Sequence, residues 1–181
     1  WKDKSCGIAA LKMVLGFHGV KVAESELLSD LKFDTTSPRG AGNLWGDPDR
    51  GFVGDIDGRL PNGGYGVYEQ PIVDLALQYR EAEVLEGAGL KDVLEHVAAG
   101  RPVIVWGFFG SGKDISWRTP AGKEVKAFWG EHTRVVSGFS GTIDDPKMII
   151  LMDPIYGKIK MSAEGFKGNW ARLGNKVAVV Y

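Results

Sequence analysis

"SCGIAALKMVLGFHG", residues 5–19, carries the single cysteine of a 181-residue chain at the start of an apolar periodicity. Ile8, Leu11, Val14 and Leu15 recur at the spacing of one helix face, Ser5 is an acceptable N-cap, and Gly16 and Gly19 supply a stop. The spacing predicts a buried helix over 6–17. "ESELLSDLK" (24–32) repeats the pattern with Leu27, Leu28 and Leu31. Pro71 suits the first turn of a helix carrying Ile72, Leu75 and Ala76, and "LKDVLEHVAAG" (90–100) sets Leu90, Val93, Leu94 and Val97 on one face before Gly100. Beyond residue 100 the texture changes. "PVIVWGFF" (102–109), "HTRVVSGF" (132–139), "KMIILMD" (147–153), "GKIKM" (157–161) and "KVAVVY" (176–181) are short, β-branched or aromatic, and bounded by Gly, Pro or Asp. Helices first and strands second predict an α+β fold with a mainly antiparallel sheet.

Between these halves, nine of the thirty residues from Ser37 to Gly66 are glycine, too many for a helix or regular strand. A long loop is expected, ordered by Trp45, Phe52, Val53, Leu60 and Tyr65. With 44% hydrophobic residues and no internal repeat, the chain predicts one domain over 1–181. A net charge of −1 with scattered Lys and Arg disfavours nucleic acid and anionic membranes as partners. No apolar run approaches the ~20 residues that span a bilayer. The start at Trp1 rather than Met favours an N-terminus trimmed of any localisation signal.

Three motifs invite chemistry that their context does not support. "GFFGSGKD" (107–114) matches a phosphate-binding loop, but Asp114 stands where Ser or Thr would hold magnesium, and Thr119-Pro120 interrupts the helix such a loop opens. Asp47, Asp49, Asp55 and Asp57 suggest calcium, yet a loop counted from Asp55 places Arg59 and Gly66 at its fifth and twelfth positions. Turn chemistry explains these aspartates better. One cysteine and three scattered histidines lack zinc spacing. No metal or cofactor is expected.

Cys6 has two readings: a small buried hydrophobe, or a nucleophile whose thiolate the N–H groups at a helix start would stabilise. Acyl transfer by a thiol also needs a base and a group to orient it. His18 and His96 sit near helix ends, where a structural role suffices. His132 stands at the start of a predicted strand, where side chains project into clefts. Asp153 ends the neighbouring predicted strand and could lie beside His132 across an antiparallel pair, although Asp before Pro154 also initiates a turn.

The stretches "DKSCGIAALKMVL", "GEHTRVVSGF" and "MDPIYG", in that order, resemble the bacteriocin-processing, double-glycine class of papain-like cysteine peptidases, and especially its stand-alone bacterial relatives. "GFVGDIDGRLPNGGYGVYEQPI" resembles the glycine-rich segment of that stand-alone group. The likeness covers the first helix and the second-half sheet. It implies a papain-like fold, a peptide or protein substrate with a small residue before the cut, and a secreted or cell-surface location. It further implies Cys6 as nucleophile, His132 as general base and acid, and Asp153 as the residue that orients His132. The family's oxyanion glutamine, six residues before the cysteine, falls immediately before Trp1. With Asp153 stabilising an imidazolium, a thiolate–imidazolium pair near neutral pH is expected. Trp45, Tyr65, Trp106 and Trp129 are candidate cleft residues. A transferase on the same fold, or an inactive surface-binding domain, is the alternative.

Overall fold

In the computed structural model, which describes residues 5–37 and 42–181, helix α1 spans Cys6–Phe17, matching its periodicity. Ile8, Leu11, Val14 and Leu15 are buried completely or nearly so. At roughly 1.5–3 kcal/mol for each such side chain, packing holds this helix despite Gly7 and Gly16. Helix α2 (Glu24–Asp30) follows. The chain then forms a small sheet from β1 (Phe33–Asp34), β2 (Phe52–Gly54) and β3 (Gly64–Gly66), in that order. The glycine-rich segment is therefore not wholly irregular; its residues 38–41 lie outside the described part. Next come α3 (Glu69–Ala76), β4 (Ala82–Val84) and α4 (Leu90–Ala98).

The second half builds a six-stranded sheet. Its strands are β5 (Val103–Phe108), β8 (Glu131–Gly141), β9 (Pro146–Asp153), β10 (Gly157–Ser162) and β11 (Val177–Val180), joined by β4. Their order is β10-β9-β8-β5-β11-β4, with every neighbouring pair antiparallel. Besides β4, three elements here were not expected from sequence. A separate hairpin pairs β6 (Asp114–Arg118) with β7 (Glu124–Phe128), and helix α5 (Ala163–Ala171) follows β10. Where a phosphate-binding loop would open a helix, the chain runs from β5 into β6.

Alternation along the strands gives the sheet two apolar faces. Ile104, Trp106, Val135, Ala178 and Val180 pack with α1 and α3. Val103, Val105, Val136, Leu151, Val177 and Val179 pack with α4 and α5. Three of the candidate cleft aromatics belong to the interior. Trp45, Tyr65 and Trp106 are fully or almost fully buried, Trp117 packs against both Trp45 and Tyr65, and the Trp106 indole N–H donates to the Val67 carbonyl. Their size fills the space between the glycine-rich segment, the hairpin and the sheet. Trp129, in the turn before β8, is half-buried beneath the Lys113 ammonium. Among the described residues no helix is long and apolar enough to cross a membrane.

Candidate active site

Helix α1 meets strand β8 at Cys6, the first of the three sequence-predicted residues. Cys6 is the first residue of α1, and its Sγ lies 3.7 Å from Thr133 Oγ1 on β8. The residue before Thr133 is His132. The thiol is only 8% exposed, so it is less open than a free surface cysteine. Thr133 Oγ1 in turn donates to Glu131 Oε1 at 3.2 Å, and Glu131 faces Gly66, where an added Cβ would come within 2.8 Å of Glu131 Oε2.

His132 and Asp153 form the second contact. Asp153 ends β9 one step beyond the Val135–Met152 pair, and its Oδ2 lies 3.0 Å from His132 Nε2. Asp153 makes both kinds of contact at once, on different oxygens. Oδ1 accepts the backbone N–H groups of Ile155 and Tyr156 at 2.8 and 3.2 Å, closing the turn. Oδ2 is left for the imidazole. Nε2 donating to a carboxylate places the lone pair on Nδ1. The ring is 4% exposed, with the edge of Phe109 against it and Tyr156 stacked on Phe109. Phe109, Ile155 and Tyr156 are large apolar side chains left about half exposed around this corner.

Arg134 is the participant that sequence reasoning missed. Two residues along β8 from His132, it shares that residue's face, and its Nε donates to the same Asp153 Oδ2 at 2.8 Å. Its signal was legible: a charged residue at an inward position of "HTRVVSGF". Burial works to raise the pKa of Asp153, but the Ile155 N–H, the Arg134 guanidinium and the imidazole together hold it below the usual carboxylate value. At His132, burial and then the Arg134 charge push the imidazole pKa below 6.5, and Asp153 opposes that shift without reversing it.

This order of a cysteine opening a helix, a strand histidine and an aspartate on the next strand accompanies a match to the peptidase C39-like family over residues 1–178. The chain belongs to that family. It is 31% identical to the uncharacterized protein YvpB of Bacillus subtilis strain 168, over 97% of this chain and 68% of that protein. A crystal structure from Bacillus anthracis described as a C39-like peptidase superposes with a TM-score of 0.82 at 26% identity, covering 99% of this chain and 89% of the other. The fold is thus the papain-like α+β arrangement that the motifs implied.

Proposed function

We propose that this chain is a cysteine peptidase whose nucleophile is Cys6, with His132 as general base and acid and Asp153 as the residue that orients it. The observation that carries the reading is the His132–Asp153 hydrogen bond, formed on the strand whose next residue, Thr133, touches the Cys6 sulfur. Strand alternation turns Thr133 toward α1 and His132 away from it. The imidazole would therefore meet the thiol around the leading end of β8, where Gly130 adopts a positive φ of 95°.

Nδ1 would take the thiol proton as sulfur attacks the substrate carbonyl, and backbone N–H groups at the start of α1 would face the developing oxyanion. The imidazolium would return the proton to the departing amine, leaving a thioester. Water, deprotonated by the same imidazole, would then release the acid and regenerate the thiol. Phe109 and Tyr156 would offer the substrate an apolar surface beside the ring.

Product analysis tests this reading. Wild-type protein incubated with a mixed peptide library should yield free carboxylate products, and Cys6→Ala should reduce their formation by at least about 10³-fold. Amide products formed when an amine is added, in place of acids, would favour the transferase. Cleavage that survives Cys6→Ala would overturn the nucleophile assignment.

A further inference from the structure

A histidine–carboxylate pair does not by itself need a permanent cation, yet one is built into this site. Asp153 Oδ2 accepts from both His132 Nε2 and Arg134 Nε. The arginine is buried, and its seat is specific. Its terminal N–H groups reach the Phe108 carbonyl at 3.3 and 3.4 Å. Asn169 of α5 donates to that same carbonyl at 2.9 Å and accepts the Phe108 N–H at 3.2 Å. Gly107, paired with His132 across β5 and β8, leaves the room: a Cβ there would stand 2.0 Å from Asn169 Oδ1. A buried guanidinium carries a desolvation cost, so a site shaped to hold one calls for an explanation.

We propose that Arg134 is a positioning residue of the His132–Asp153 pair: it locks the carboxylate against Nε2 and balances its charge, with Nδ1 as the base. The inference rests on the proposed peptidase reading and deepens it. With Asp153 and Arg134 already neutralising each other, the carboxylate favours a proton on the imidazole less than it would alone. Around the ring, Asn169 is neutral, Tyr156 stacks on Phe109, Cys6 touches Thr133 from α1, and Glu131, which accepts from the Thr133 hydroxyl, is a second carboxylate one residue along β8. The direction of the His132 shift, downward through burial and Arg134, agrees.

The test is a titration of the His132 imidazole by nitrogen-15 NMR in Cys6→Ala protein, where no reaction occurs, with the signal assigned by its loss in His132→Gln. The parent should titrate below the ordinary value of about 6.5, with the neutral ring protonated at Nε2. Arg134→Met should raise that value by about one unit, a tenfold change in proton affinity. Arg134→Lys should keep it low by retaining the charge. If Arg134→Met does not fold, the parent and the lysine variant still decide. A parent value at or above 6.5, no movement in Arg134→Met, or a rise in Arg134→Lys would each overturn the assignment. Failure here alongside Cys6-dependent peptide cleavage would remove the role of Arg134 alone. Absence of cleavage with the predicted titration would instead remove the peptidase reading.

Discussion

Two clusters of charge fasten this fold, and they are put together differently. At the leading end of β8, Asp153 is shared between an imidazole and a guanidinium. Across the glycine-rich segment, Lys123 spans Asp47 and Asp49, while Lys176 spans Asp49 and Glu69. Every cation of the second cluster is a lysine, and its work is mechanical: it ties the segment to the β6–β7 hairpin, to β11 and to α3. The first cluster contains the one partner that can gain or lose a proton near neutrality. Burial and ion pairing are common to both; a titratable member is what suits one of them to chemistry.

The same substitution made in each cluster should separate these roles. Asp153→Asn keeps the shape of the side chain but strips the charge from both His132 and Arg134, leaving a buried guanidinium uncompensated. Peptide turnover is expected to fall by about 10²–10⁴-fold, with a loss of stability as well. Turnover within twofold of wild type would show that some other group orients the imidazole. Asp47→Asn removes one carboxylate from the mechanical cluster. Because Lys123 is half exposed and keeps Asp49, the expected cost is only about 1 kcal/mol, read as a lower midpoint in chemical denaturation, with turnover unchanged. A large fall in turnover would mean that the glycine-rich segment contributes to the site directly.

Much of this arrangement was readable in the sequence, and the exceptions have physical causes. Helix α1 was legible from end to end because an unbroken apolar stripe meets two glycines. The strands β5, β8, β9, β10 and β11 were legible from β-branched runs between turn residues. Helix α5 was not, since Gly165 and Gly168 depress its propensity, although Ser162 does cap it by accepting the Gly165 N–H. The β6–β7 hairpin hid in "DISWR" and "EVKAF", whose charged outer faces dilute the strand signal even as Trp117 and Val125 point inward. In the site, Asp153 stood at the end of the strand beside that of His132, so its nearness followed from antiparallel pairing. The ion pairs of Asp47 and Asp49 join residues more than seventy positions apart, beyond the reach of local pattern. The aromatic residues assigned to a cleft were misplaced because size and polarity at one end suit a core as well as a surface.

Covalent labelling of the single cysteine tests the central claim most directly, since any adduct identifies Cys6 without ambiguity. A small thiol-directed electrophile, followed by intact-protein mass spectrometry across pH, would compare wild type with His132→Ala. If His132 is the base for Cys6, wild type should react about a hundredfold faster at pH 7, and the gap should close at high pH as thiolate forms unaided. Equal rates at every pH, or labelling of either protein only after unfolding, would contradict the account and leave Cys6 a buried residue of α1.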